Sequence, residues 1–165
     1  MENQKKELFY FQITDLWKRL CESHSELFDL TCDEYSLLLG SEIDKLENKI
    51  IQKQELIAKI AILESIREEL ITDVNKHLNA KISNVTELIS FFQTYESSLN
   101  QKHLFSFNSL LIDIIEKIQA QNKNNQLFIN KALGSLRSIR EEVLGEKSYS
   151  TYTSKGNAKA RSLSV

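Results

Sequence analysis

Apolar residues recur at three- and four-residue steps along most of this chain, and that spacing predicts α-helices. Over residues 3–39 one seam is Phe9, Ile13, Leu16, Leu20, Leu27 and Leu38. A second, beside it, is Trp17, Cys21, Phe28, Cys32, Tyr35 and Leu39, with His24 between the two. Adjacent seams make a face wide enough for two neighbours. Gly40 suits the left-handed residue that follows a helix C-terminus. Ser41, with Asp44 three residues on, forms a capping-box pattern for a second helix over 42–78. A connection this short makes the two helices antiparallel.

The second helix carries Ile43, Leu46, Ile50, Ile57, Ile60, Leu63, Ile66, Leu70 and Val74 on its seam. Lys45, Lys49, Lys53, Glu55, Lys59, Glu64 and Glu68 read as its solvated face. Residues 79–84 form a weak break without glycine. Asn84 and Glu87 can cap a short helix over 85–96, and continuation into the next helix is the alternative. A long last helix is expected over 101–144. Its seam, Leu104, Phe107, Leu111, Ile114 and Ile118, turns polar at Gln121, Asn122, Asn124 and Asn125 and resumes at Phe128, Ala132, Leu136, Ile139 and Val143.

The polar interruption has two readings. Residues 126–144 are a separable amphipathic segment that receives a partner's helix, or they are ordinary core with one polar layer that sets register. Gly134, inside that segment, admits a close backbone approach or is a neutral surface residue.

Composition sharpens the fold. The 165 residues include four glycines and no proline, where average usage of ~5% would give about eight prolines. A chain without either punctuator is built from long uninterrupted elements. The expected architecture is all-α, an elongated antiparallel three-helix bundle or coiled coil with a long C-terminal helix. Residues 1–145 form the helical domain. Residues 146–165, rich in Ser and Thr and without apolar periodicity, form a disordered tail.

The chemistry excludes more than it offers. A net charge of -2 with interspersed signs argues against nucleic acid, which needs a basic face. No apolar run approaches the ~20 residues that span a membrane. Residues 1–6 lack the pattern of a signal peptide, so a cytoplasmic protein is expected. Cys21 and Cys32 lie eleven positions apart, about 16 Å along one helix, too far for a mutual disulfide. His24, His77 and His103 are isolated, and no Glu-x-x-His pair, HExxH, CxxC or Gly-rich phosphate loop occurs. No catalytic residue, metal site or cofactor is expected. The residues point to a protein that binds other proteins, and the competing reading is a structural coiled-coil or three-helix spacer.

Two stretches carry a family resemblance. Residues 35–56 read YSLLLGSEIDKLENKIIQKQEL, a leucine-rich helix end, a Gly-led turn and a Lys53-Gln54-Glu55-Leu56 register. Residues 121–156 hold an Asn-containing stretch, an amphipathic helix, and a tail with Tyr152, Lys155 and Gly156. Together they resemble the FlgN family of flagellar export chaperones. Gly40-Ser41 stands where Gly-Asp is commoner, and Thr153-Ser154 departs from the family's Asp-Ala within its tail motif. The resemblance implies binding of the C-terminal helices of the hook–filament junction proteins FlgK and FlgL. It assigns cargo contact to Leu127, Phe128, Leu133, Leu136, Ile139 and Val143. It assigns contact with the export gate protein FlhA to Tyr152. The implied chain is a monomer or weak homodimer.

Overall fold

The computed structural model describes residues 1–144; the tail residues discussed above, Tyr152 among them, lie outside that range. Among the described residues there are four helices and no strand: α1 (Glu2–Leu39), α2 (Ile43–His77), α3 (Val85–Ser98) and α4 (His103–Leu144). Residues 1–122 form one compact unit, and a second begins at Lys123 within α4.

In the first unit α1 is the central element. It buries Tyr10, Ile13, Leu16, Trp17, Leu20, Cys21, His24, Leu27, Leu30 and Thr31. These span both expected seams, but Leu39 is exposed. Tyr10, Leu30 and Thr31 belong to the face and were absent from the seams. Thr31 hides its hydroxyl by donating to the Leu27 carbonyl at 2.7 Å, so a polar residue sits fully buried without an orphan donor.

α2 runs antiparallel to α1. Lys49 pairs with Asp33 at 3.1 Å and Lys53 with Glu34 at 3.2 Å, while Phe9 stacks on His77 at the other end. These lysines are therefore interhelical partners, a correction to their place on the solvated face. The seam needs correction too. Leu56, Ile60, Leu63 and Val74 are buried, whereas Ile43, Ile50 and Ile57 are largely exposed. Ile60, Leu63 and Val74 belong to the expected seam, and Leu56 takes the inward place that Ile43, Ile50 and Ile57 leave.

The α1–α2 turn closes differently from expectation. Gly40 is right-handed at φ -82, and Ser41 takes the left-handed conformation at φ 54. The Ser41 N–H donates to the Leu38 carbonyl at 3.2 Å and the Glu42 N–H to the Leu37 carbonyl at 3.0 Å. This is a Schellman closure with serine in the position glycine favours. Ser41 consequently caps nothing; Glu42 precedes α2 without a side-chain cap and pairs with Lys45.

Asparagine does the same work at the next two breaks. Asn79 after α2 and Asn100 after α3 have φ 50 and 52, and asparagine tolerates that region better than most residues. Asn75 pins the α2–α3 connection by bonding both the N–H and the carbonyl of Ile82, each at 2.8 Å. α3 starts on the expected cap. The Glu87 N–H donates to Asn84 Oδ1 at 2.8 Å, and the Glu87 carboxylate reaches back to the Ser83 N–H at 2.7 Å. α3 is separate from α4, the first of the two readings for residues 85–96, and contributes fully buried Leu88 and Phe92, so the core of the first unit draws on four helices and not only the three of the expected bundle.

Candidate docking surface

The start of α4 is set by a buried carboxylate. Glu96, at the end of α3, is 4% exposed. One of its oxygens, Oε1, accepts the Tyr10 hydroxyl at 2.8 Å and the Leu104 N–H at 2.6 Å. Leu104 lies in the first turn of α4, where backbone N–H groups lack helical partners and the dipole favours an anion. Glu96 thus joins α1, α3 and α4 at a single point. Burial, and then the Glu96 hydrogen bond, push the Tyr10 hydroxyl up to about 12.

From there α4 lies along α1. Trp17 donates its indole N–H to Asn108 Oδ1 at 3.1 Å, and the Cys21 thiol donates to the Phe107 carbonyl at 3.2 Å. Leu104, Leu111, Ile114 and Ile118 are buried. Lys53 donates to Asn122 Oδ1 at 3.0 Å while holding Glu34. This part of α4 is therefore parallel to α1 and antiparallel to α2, with both ends fixed by polar contacts.

The second unit, described by itself, differs sharply. Asn125 is buried, Phe128 and Ile129 are half-buried, and every residue from 130 to 144 is exposed. The sequence-assigned residues Leu127, Leu133, Leu136, Ile139 and Val143 are 48% to 79% exposed. Leu136, Ile139 and Val143 keep the three- and four-residue spacing of one helical face. Ile129 precedes them on that face and was overlooked because the Asn run obscured where the row resumes. Gly134 has nothing within 4 Å of the position a Cβ would take. It is an open surface glycine in this structure.

Other chemistry is sparse. Among the described residues, no group of three or more His, Cys, Asp or Glu is placed to hold a metal. The His24 ring is buried and its Nδ1 meets the Leu20 carbonyl at 2.7 Å, so Nδ1 carries a proton. Both cysteines are free, and burial pushes both thiols up, which makes them poor nucleophiles. A cavity of about 120 Å³ lies beside Ile89, Gln93, Glu96 and Phe105, and larger depressions, such as one of about 530 Å³ along Ser65, Glu68, Glu69, Thr72 and Asp73, are shallow and open to solvent. No described helix is long and apolar enough to cross a membrane.

Among the described residues the chain is all-helical, and its last helix ends in an exposed amphipathic segment. The family model for FlgN proteins matches residues 9–160, and the chain belongs to that family of flagellar export chaperones. The match spans both units and extends past the described residues. No curated protein and no solved structure matches the chain.

Proposed function

We propose that this protein is a cytoplasmic chaperone that holds the C-terminal helices of the junction proteins FlgK and FlgL and hands them to the export gate protein FlhA. Family membership gives the export-chaperone role. The observation that supports the docking site is the exposed apolar row of residues 127–144. Cargo segments that self-associate after export must keep their apolar stripes hidden beforehand, and a complementary stripe does this in the helix-in-groove mode. A helix of this length supports an interface of standard size, roughly 1,600 Å² in total.

In this reading residues 1–145 are the chaperone domain, and cargo touches Leu127, Phe128, Leu133, Leu136, Ile139 and Val143. The 146–165 tail carries Tyr152 to FlhA while cargo stays bound, raising the effective concentration at the gate. The protein works without a cofactor, as a monomer or weak homodimer.

The test is a titration of the purified chain with the C-terminal segment of a FlgK-like protein. Leu136→Asp with Ile139→Asp should abolish binding and leave thermal unfolding unchanged. A chain ended after Gln126 should likewise stay folded and lose cargo. A structural spacer gives the opposite pattern, with loss of stability or of self-association, and that result would reject the chaperone site. Tyr152→Ala should spare cargo binding and impair export.

A further inference from the structure

We infer that the outer face of α2 is a second docking surface, and that its occupant is a helix with an apolar middle and basic ends. This surface lies on a different helix from the cargo row and does not depend on it.

At about 100° per residue, Ile43, Ile50, Ile51, Ile57 and Ile62 fall within a sector of α2 about 140° wide. That sector is opposite the side that buries Leu56, Ile60, Leu63 and Val74. The five isoleucines are 40% to 63% exposed, and Ala58 and Ala61 among them are exposed as well. Single exposed apolar residues are ordinary, whereas a contiguous row of them marks a contact surface. Isoleucine is also a poorer helix former than the lysine, glutamate or glutamine that suit solvated helix positions, so helix propensity does not explain the row.

Charge selects the occupant. On this side of α2, Asp44 and Glu47 stand at one end of the apolar patch over 50–62, and Glu68, Glu69 and Asp73 stand beyond the other, all exposed. The ion pairs of α2 engage Glu42, Asp33, Glu34 and Glu64 and none of these five acids. Lys76 is the one cation on the same side, a helical turn past Asp73. A second copy is a poor occupant. Laid antiparallel with the two patches matched, it sets Asp44 of one copy beside Glu68 of the other. Laid parallel, it sets every acid beside its own counterpart. Like charges across an interface oppose association. A helix with Lys or Arg on either side of an apolar middle satisfies both ends. Pairing along one helix buries an area at the low end for protein contacts, below about 1,200 Å², so the complex is transient.

The experiment uses the full chain carrying Leu136→Asp and Ile139→Asp, so that the α4 row cannot answer for α2. The probes are three labelled synthetic helices of about 30 residues, long enough to cover 43–73. Two share a Leu/Ile middle and carry Lys or Glu at both ends; the third keeps the Lys ends and scrambles the middle. By fluorescence anisotropy at low salt the Lys helix should bind at least about tenfold tighter than the Glu helix, and the gap should close at high salt. The scrambled helix should not bind. Adding Ile50→Asp with Ile57→Asp should abolish binding at an unchanged unfolding midpoint; if that variant unfolds, Ile50→Gln with Ile57→Gln makes the same test. Glu68→Lys with Glu69→Lys should erase most of the advantage of the Lys helix. No binding of the Lys helix, equal binding of the Glu helix, or indifference to Ile50 and Ile57 would overturn the inference. So would self-association of the unmodified chain that Ile50→Asp with Ile57→Asp removes, because a second copy would then be the occupant. Cargo binding is read through Leu136 and Ile139, so either surface can fail alone.

Discussion

Leu111 and Leu136 sit on the same helix, on rows of the same period, and meet opposite environments. Leu111 is 5% exposed and Leu136 62% exposed. Up to Asn122 the row is covered, and α4 is tied to α1 and α2 by Trp17, Cys21 and Lys53. From residue 130 the apolar side chains have the same spacing and no cover. Spacing tells which side chains share a face, and only neighbouring chain decides whether that face is core or binding surface. A covered row contributes to folding; an uncovered one holds the same apolar area in reserve for a partner.

The sharpest way to break this comparison is to make one substitution in both places. Leu111→Ala should cost about 3 kcal/mol of stability, the usual range for a buried leucine that leaves a cavity. Leu136→Ala should stay within about 0.5 kcal/mol in urea unfolding, as exposed substitutions do, and should weaken cargo binding instead. Equal stability losses would mean that residues 123–144 have a cover of their own in solution.

Next in size is the Glu96 junction, which sets where the covered half begins. Glu96→Ala leaves the Tyr10 hydroxyl and the Leu104 N–H without an acceptor and should cost about 2–3 kcal/mol. Residues 123–144 should keep their exposure. The same junction predicts a response to alkali. Tyr10 titrates near 12 in the folded chain against 10.0 as its ordinary value. Between these values the unfolded chain has released its proton and the folded chain has kept it. Stability contributed by neutral Tyr10 is thus complete below pH 10 and is lost as pH rises toward 12, about 2–3 kcal/mol in all. Urea unfolding at several alkaline pH values would show the loss, and Tyr10→Phe should flatten that part of the profile.

Much of the architecture was legible before any coordinates. The missing prolines and the three- and four-residue steps announced an all-helical chain. Asn84 and Glu87 marked the start of α3 by their spacing alone. Other features were hidden for physical reasons. Tyr10 and Glu96 meet across 86 positions, and no local pattern signals a carboxylate that will serve another helix. On α2 the expected seam joined two rows: Ile60, Leu63 and Val74 are buried as expected, whereas Ile43, Ile50 and Ile57 face outward and Leu56, one position from Ile57, is the buried residue the spacing missed. Gly40 was the natural candidate for the left-handed turn. The last bonds of α1 instead place that position one residue later, at Ser41. In α4 the amphipathic row was readable, while its exposure was not, because core and surface rows share one period.

The smallest expected effect separates the two halves on backbone grounds. Gly134 lies in a helix interior and has open space where a Cβ would go. Glycine there costs about 1 kcal/mol of local helix stability relative to alanine, through the freedom it loses on folding. Gly134→Ala should therefore raise the helical content of residues 123–144, seen as slower amide exchange in that segment. The global unfolding midpoint should not move, because the covered half sets it. If cargo requires a preformed helix, affinity should rise by up to about fivefold, the equivalent of that 1 kcal/mol. A loss of affinity would show instead that a partner's backbone approaches at Gly134, which places glycine there for contact and not by indifference.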